Sequence, residues 1–318
     1  MTLRHTFSQV LGQRLASFAL APSSPHPLGA FRMGVALILL AQTWMLSDGV
    51  LALFGSKGLI QWAISEPMSA PWLPRIGTLA PVAQRLGLSP DECVYGVGVL
   101  YVLSLVGLLL GWRTRLSAFV AWLTHTTLIN SGGMFAYGVE IFAHISLAYC
   151  VLMPVGSAFS LDVKAGRESD APSPLATLAL RVLQLHLCLV YLSTGVEKAL
   201  GPQWQDGEAL WKALMQPLYG QFDFAWMASV PLLTKLVTWS TLVIEIGYPL
   251  FVWPRQTRLL WVALTLGLHL GIGLFMGLWL FSGIMAVLTF TVFGFAPLYQ
   301  AWLALREELA RSKPAIIA

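Results

Sequence analysis

Long apolar runs, separated by short polar segments, dominate the pattern of this chain. A helix that crosses the hydrocarbon core of a bilayer needs about 20 predominantly apolar residues. The pattern predicts about eight transmembrane helices, near 28–47, 93–111, 115–131, 135–154, 175–197, 229–252, 257–276 and 279–297. The last two belong to one uncharged stretch, 259–297, and Gly271, Gly273 and Gly277 predict the turn that divides it. Seven or nine helices are the alternatives.

The composition places the chain in a membrane. Hydrophobic residues make up 57% of it and charged residues 11%, whereas soluble domains carry about 25% charged residues. We therefore expect an all-α fold, a polytopic integral membrane helix bundle. The net charge of +4 is weak evidence for a nucleic-acid partner, because basic residues in such proteins mostly report topology.

The chain is expected to form one membrane domain with two flanking segments. Residues 1–27 have no long apolar core before Pro22, which argues against a cleaved signal peptide and favours an N-terminal interfacial segment. Residues 28–297 form the predicted membrane domain. Residues 298–318 form the predicted cytoplasmic tail.

Basic residues predict the orientation. Two short loops each carry an arginine pair, whereas the turns at 131–135 and 276–279 carry no charge. Under the positive-inside rule this pattern puts both termini in the cytoplasm. The two long segments at 48–92 and 198–228 then lie outside, and their tryptophans suit the membrane boundary. We expect them to form a partial lid over the bundle.

Several ionisable residues fall inside the predicted helices, where they are costly and usually face the protein interior or a cavity. They are Arg32, His125, Glu140, His144, Arg181, His186, Glu245 and His269. Glu245 and His269 lie deep enough to predict a functional or site-organising role. Glu140 and His144 are four residues apart on one helix face, which predicts either a structural pair or part of a site.

The remaining ionisable residues have simpler interpretations. Arg32 and Arg181 lie near cytoplasmic helix ends, where snorkelling of the long side chain explains them. His125 and His186 are lone histidines on apolar helices and are interpreted as core residues with satisfied hydrogen bonds. No HExxH or equivalent ligand set occurs, so no metal is expected.

A polar stripe follows the fifth predicted helix. Gln184, Tyr191 and Thr194 lie within about 40° of Lys198 at 100° per residue. The stripe leads through an apolar helix to a lysine at the outer rim. It predicts either a site with Lys198 at its mouth or a polar packing seam that ends in a snorkelling lysine. Glu197 points to a different face.

The segment "VYLSTGVEKALGPQWQDGEAL" resembles the signature of the HTTM (horizontally transferred transmembrane) domain family, bacterial relatives of vitamin K-dependent gamma-carboxylase. Lys198 falls on the lysine regarded in the animal enzyme as the base that deprotonates the quinol. The resemblance also puts Trp204, Asp206 and Gly207 in the family's lid and outer loop. "TLVIEIGYPLF" is similar to the acidic helix and "LHLGIGLFMGLWLF" to the histidine-containing helix pair.

The resemblance extends over about residues 28–297, with two departures. Gly132 and Gly133 stand where the animal enzyme has a histidine, so no role for that histidine is carried over. We expect no large luminal domain after the membrane part, so a long peptide substrate is expected to need another docking surface or a separate partner protein.

The resemblance implies a lyase that couples quinol oxidation by O₂ to proton abstraction and carboxylation of a secreted peptide or protein. Its co-substrates are reduced vitamin K or menaquinol, O₂ and CO₂, with the quinone drawn from membrane lipid. The implied location is the bacterial inner membrane, with the active site on the periplasmic side. Lys198 is the implied base, and the residues that line the pocket or stabilise charge are Tyr191, Thr194, Glu245, His269, Glu140 and His144.

A function of a different class stays open. Some HTTM-type proteins resemble non-catalytic membrane partners in the maturation or export of secreted peptide toxins. The polar stripe would then bind a peptide, and no oxygen would be consumed. A transporter is a weaker alternative, because the chain shows no inverted repeat.

Overall fold

A computed structural model describes residues 2–68, 70–132 and 137–312 of the chain. Gly133, the first two residues of the predicted helix at 135–154 and residues 313–318 of the predicted tail lie outside the described residues. Within the described ranges the chain is α-helical, and its one β-type pairing is a bridge between Ser23 and Ser173.

The helices, in chain order, are α1 Thr2–Leu20, α2 His26–Met45, α3 Val50–Phe54, α4 Trp62–Ser65, α5 Ile76–Arg85, α6 Pro90–Leu110, α7 Thr114–Ser131, α8 Gly138–Leu152, α9 Leu161–Lys164, α10 Pro174–Leu200, α11 Pro202–Gln205, α12 Ala209–Leu214, α13 Pro231–Phe251, α14 Arg255–Met276, α15 Trp279–Thr289 and α16 Phe295–Ser312. Short 3₁₀ turns occupy Ser47–Gly49, Glu66–Met68, Pro217–Tyr219 and Ala225–Ser229, and a π-helix, Phe290–Gly294, joins α15 to α16.

Five helical stretches are long and apolar enough to cross a membrane, which identifies an integral membrane protein. They are His26–Met45, Pro90–Leu110, Pro174–Leu200, Arg255–Met276 and Trp279–Arg311. The other three predicted spans coincide with α7, α8 and α13. Of these, α8 is a shorter apolar helix, while α7 and α13 bury several threonines together with His125 or Glu245. Buried polar side chains lower the hydropathy of a helix without exposing it to water.

Local sequence explains where the long helices begin and end. The α6 helix begins with a capping box, in which Ser89 Oγ accepts from the Glu92 amide and Glu92 Oε2 accepts from the Ser89 amide. The α14 helix ends at Gly277, which has a φ of 73°. Only glycine adopts this left-handed conformation without strain. The turn predicted in the last apolar stretch therefore lies at Gly277, whereas Gly271 and Gly273 belong to α14.

The chain divides into two compact units, residues 1–179 and 180–318. In the first unit, α2, α6, α7 and α8 pack around Phe31, Val35, Leu105 and Leu147, which are fully buried. In the second unit, α14 packs on α13, on α15 and on the π-helix, and Tyr248 and Ile284 are fully buried.

Arg32 corrects the sequence interpretation, because its guanidinium is fully buried and does not snorkel. Its Nε donates to the Val155 carbonyl at 3.1 Å. Its two Nη atoms donate to the carbonyls of Leu108, Leu109, Ala158 and Phe159. The carbonyls of Leu108 and Leu109 lie in the last turn of α6, beyond the regular helical ladder, where that of Leu108 also accepts from the Gly111 amide.

Asp162 holds the neighbouring loop in a similar way. Its carboxylate accepts from the amides of Arg113 and Thr114, from Thr114 Oγ1 and from Arg167 Nε, at 2.7–3.0 Å. Burial alone would raise the pKa of this carboxyl, but hydrogen bonds from Thr114, Arg167 and Arg113 outweigh it and lower the pKa to about 2. Arg32 and Asp162, with the groups they bind, are called the loop anchor below.

Candidate functional site

Lys198 and Glu245 form an ion pair in the second unit. Lys198 lies in the last turn of α10 and Glu245 lies in α13. Nζ lies 2.8 Å from Oε1 and 2.6 Å from Oε2 of the carboxylate. The Glu245 side chain is 8% exposed and that of Lys198 is 29% exposed. The pair is thus a buried carboxylate covered by a lysine that still reaches the surface.

A glycine allows the two helices to approach closely at this point. A Cβ on Gly195 would lie 2.9 Å from Ile246 Cγ1 and 3.0 Å from Glu245 Cβ. Any larger residue would push α10 away from α13. Gly195 is three residues before Lys198, so the close approach sets the Nζ–carboxylate contact directly.

A second polar contact lies about two helical turns before Lys198 on α10. The Tyr191 hydroxyl lies 2.8 Å from His269 Nε2 on α14 and 3.2 Å from Thr289 Oγ1 at the end of α15. All three residues are almost completely buried. The Tyr191 ring also contacts that of Tyr248, with 4.3 Å between centroids. The structure therefore ties three helices together around the Tyr191 hydroxyl.

Several buried polar atoms of the second unit have no hydrogen-bond partner among the described residues. They include His269 Nδ1 and Ser282 Oγ. Buried polar groups in proteins nearly always have a partner, so an exception calls for an explanation such as a ligand or water. Phe281 stacks edge-on against His269, with 5.8 Å between ring centroids.

Thr194 lies between the two polar contacts on α10. Its Oγ1 lies 2.9 Å from the Val190 carbonyl and 3.3 Å from Glu245 Oε2. A hydroxyl has one proton to donate, so it bonds to one of these oxygens at a time. The predicted stripe of Tyr191, Thr194 and Lys198 thus faces Glu245 and His269 within one unit, while Glu197 is exposed.

Gln184, the fourth member of the stripe, has a structural contact. Its Nε2 donates to the Val292 carbonyl at 3.0 Å. Val292 belongs to the π-helix Phe290–Gly294, in which the backbone bonding pattern is altered. Arg181 Nη1 donates to the Gln184 side-chain oxygen at 2.7 Å. Gln184 therefore joins α10 to the π-helix.

The predicted lid residues differ in what they contact. The Trp204 ring centroid lies 5.7 Å from Lys198 Nζ, and the Trp204 carbonyl accepts from Trp239 Nε1 at 3.1 Å. Gly207 has a φ of 78°, and a Cβ there would lie 2.5 Å from Lys235 Cγ. Asp206 is exposed. The Trp204 indole thus lies close to the lysine ammonium, and Gly207 fixes the turn that follows α11.

Glu140 and His144 lie in the first unit. Glu140 Oε1 accepts from Gln42 Nε2 at 2.8 Å and Oε2 accepts from the Tyr137 amide at 2.7 Å, while His144 Nδ1 lies 3.4 Å from Thr126 Oγ1. Within the described part of the chain no hydrogen bond joins Glu140 to His144. Both line a pocket of about 270 Å³ in that unit.

The lone histidine of α7 is a core residue, as the sequence suggested. His125 is 4% exposed. Its Nδ1 lies 3.0 Å from the Tyr101 hydroxyl, and its Nε2 lies 3.3 Å from the Glu140 carbonyl. Both ring nitrogens therefore have partners.

Sequence reasoning did not identify Gly195, Tyr248, Thr289 or Trp239. Tyr248 follows Glu245 by three residues and so shares its helix face, which is a signal in the sequence. Thr289 and Trp239 give no such signal, because their contacts arise only when helices distant in sequence meet. In the parts of the chain that the structure describes, no group of three or more His, Cys, Asp or Glu residues could hold a metal ion.

Comparison with known proteins identifies the family of the chain. A family model, the HTTM domain, matches residues 79–296, a range that includes Lys198, Glu245 and His269. This domain marks vitamin K-dependent carboxylase-like membrane proteins. Searches of curated proteins and of solved structures gave no match. The matched range is well over half of the 318 residues, and the chain therefore belongs to the HTTM domain family.

Proposed function

We propose that this protein is a quinol-dependent, vitamin K-dependent carboxylase-like membrane enzyme that carboxylates a secreted peptide or protein. The observation that carries the proposal is the Lys198–Glu245 pair. It lies at the partly exposed end of a buried polar stripe, inside the range matched by the family model. A proton acceptor at that place is what deprotonation of a quinol requires.

The residues of the second unit fit a quinol, an aromatic ring with two hydroxyl groups. Lys198 and Glu245 would receive the proton of one hydroxyl. His269 Nδ1, buried and without a partner among the described residues, would bind a further polar atom. A bound quinol supplies phenolic protons and the electrons that reduce O₂, whether the quinone is vitamin K or menaquinone.

The contact between Lys198 and Glu245 supports a proposal in which the two residues act together on the proton. The resemblance implies Lys198 as the base and Glu245 as a residue that lines the pocket or stabilises charge, and Nζ contacts both oxygens of Glu245. Nζ would take the phenolic proton, and the Glu245 carboxylate would hold the ammonium that forms. This ammonium would lie beside the phenolic oxygen.

The contact around Tyr191 positions this acceptor. The hydroxyl of Tyr191 holds α10 to α14 through His269 and to α15 through Thr289. The Trp204 indole reduces access of water to the lysine from the outer side. Reduced water access strengthens every electrostatic interaction at the pair. We assign these residues to orientation and shielding.

The proposal includes a topology. About eight helices cross a bacterial inner membrane, both termini are cytoplasmic, and Lys198 lies on the periplasmic side. Single cysteines placed at Ala70 and Gln203 should react with a membrane-impermeant thiol reagent in intact cells, whereas one at Gly166 should react only after lysis. The native Cys93, Cys150 and Cys188 are buried, which keeps the background low. Labelling of Gly166Cys in intact cells would refute this topology.

The enzymatic test uses purified protein in lipid and quinol-dependent oxygen uptake, with epoxide formation as a second readout. The Lys198→Arg variant should fold and be inactive, because a guanidinium stays protonated and cannot accept a proton. Lys212→Arg is the matched control, since Lys212 pairs with Glu208 in the same unit but both side chains are exposed. A small amine should partly rescue Lys198→Ala.

Two results would count against the proposal. Full activity of a folded Lys198→Arg protein would reject the proton-acceptor role. Absence of quinol turnover by the unmutated protein would favour the other function considered from the sequence, a non-catalytic partner in the export of a secreted peptide toxin.

A further inference from the structure

A small pocket in the first unit contains a buried arginine that the proposed reaction does not use. Arg75 directly precedes α5 and is 7% exposed. The pocket has a volume of about 20 Å³ and is lined by Arg75 together with Trp62, Ser65, Glu66, Gly77, Thr78 and Ser131. About 10–15 Å³ is enough for one water molecule, so this volume admits one or two water-sized atoms, such as the oxygens at the end of a ligand.

The guanidinium of Arg75 is only partly bonded. It carries five N–H donors. Nη1 donates to the Glu66 carbonyl at 2.7 Å, and Nη2 lies 3.6 Å from Glu66 Oε1. Nε is buried and has no hydrogen-bond partner in the parts of the chain that the structure describes. The Nε edge of the planar group therefore has no acceptor at hydrogen-bond distance among the described residues.

The charge of Arg75 is also poorly compensated. The carboxylate of Glu66 is 65% exposed, and strong charge-assisted hydrogen bonds measure about 2.7–2.9 Å rather than 3.6 Å. A buried charge is costly unless it is paired at short range. The pocket also includes Gly77 in the first turn of α5, where the helix dipole favours a negative charge. Each of these features favours an anion in the pocket.

We propose that this pocket binds a small carboxylate-type anion, with Nε and an Nη of Arg75 as a two-pronged donor. The geometry of such a fork matches two oxygens on one carbon. The ligand is either a free ion such as formate or bicarbonate, or the carboxylate at the end of a peptide side chain. Glu66 interacts weakly with the same donors and would compete with the ligand for them. The proposal is independent of quinol chemistry.

The first test measures binding of formate and of bicarbonate to the purified full-length protein in lipid nanodiscs by isothermal titration calorimetry, without quinol. Arg75→Gln should weaken binding by about tenfold or more, because it removes hydrogen bonds from a charged donor. Arg85→Gln is the matched control, since Arg85 lies on the same helix and is exposed. It should leave binding unchanged. Equal affinity in Arg75→Gln and the unmutated protein, or no binding by either, would overturn the proposal.

A second variant should raise the anion affinity rather than lower it, and it changes an exposed side chain that is not needed for folding. Glu66→Gln removes the competing carboxylate from an exposed position. Anion binding should become tighter, by about twofold to fivefold, which is the range expected for loss of an exposed ion pair. If Arg75→Gln fails to fold, the change in anion affinity in Glu66→Gln tests the proposal by itself. Weaker binding or no change in Glu66→Gln would contradict the site.

Peptides distinguish the two sources of the ligand. A short glutamate-containing peptide that displaces formate, where its glutamine counterpart does not, identifies a peptide side chain as the ligand. Displacement by neither peptide, with formate still bound in an Arg75-dependent way, identifies a free anion. Both results support the site, and neither depends on turnover at Lys198.

Discussion

The loop anchor of the first unit and the Lys198–Glu245 pair of the second both bury charge, but they differ in how completely it is bonded. In the loop anchor, Arg32 donates to five backbone carbonyls and Asp162 accepts from four donors. Around the pair, the lysine reaches the surface, and His269 Nδ1 and Ser282 Oγ have no partner among the described residues.

The difference separates structural from functional charge. A fully bonded buried group has no capacity left for a ligand, and its removal exposes its partners to an apolar surrounding. An incompletely bonded group costs stability and remains able to bind or exchange a proton. We therefore expect substitutions in the loop anchor to change stability, and substitutions around the pair to change activity.

The largest effect on stability is expected for Arg32→Met. The substitution removes the guanidinium from five carbonyls, and each buried acceptor that is left without a partner costs about 1–3 kcal/mol. Arg115→Met is the control, because Arg115 is exposed at the start of α7 in the same unit. Unfolding in detergent, followed by helical circular dichroism, measures both. Similar midpoints for the two variants would show that the loop anchor does not stabilise the fold.

A smaller effect is expected from protonation of Asp162. Because hydrogen bonds hold its pKa at about 2 in the folded protein, against 3.8 for an ordinary carboxyl, its contribution to stability is fully present above about pH 4. It is lost as the pH falls from about 4 to 2 and amounts to about 2 kcal/mol. Asp162→Asn should remove this part of the pH dependence. An unchanged acid limb in Asp162→Asn would contradict the assignment.

The smallest effect is a coupling between Tyr191 and His269. Their side chains are 2.8 Å apart, so Tyr191→Phe and His269→Leu should deviate from additivity in unfolding free energy by about 1 kcal/mol, within the range for contacting residues. Glu245→Gln and His269→Leu should couple less, because no described hydrogen bond joins them directly. Strict additivity for Tyr191 and His269 would show that their contact contributes nothing to stability.

The positions of the helices were predictable because lipid demands long apolar stretches. The turn that divides residues 259–297 was also predictable, because it needs a left-handed backbone conformation and glycine occupies that position at Gly277. The depth of a side chain was not predictable. Arg32 lies near a helix end, where lysine and arginine often snorkel, and only the carbonyls that surround it in the fold show that it is buried.

The sequence predicted the individual residues of the candidate site but not which of them contact each other. The stripe on α10 and the deep position of Glu245 identified both members of the ion pair, yet their contact depends on the close approach of α10 and α13 at Gly195. Glu140 and His144 were grouped with Lys198 because all are ionisable residues in apolar helices. Their hydrogen bonds lie within the first unit. Helical periodicity does not predict which unit a residue belongs to.

The most direct test of the central claim, that Lys198 and Glu245 accept a proton as one unit, compares Lys198→Ala, Glu245→Gln and the double variant in quinol-dependent oxygen uptake. Each single variant should lose about 10²- to 10⁴-fold in turnover, the range for removal of a general base. The double variant should lose no more than the worse single variant, because residues that act together are strongly non-additive. Losses that multiply in the double variant would contradict the claim.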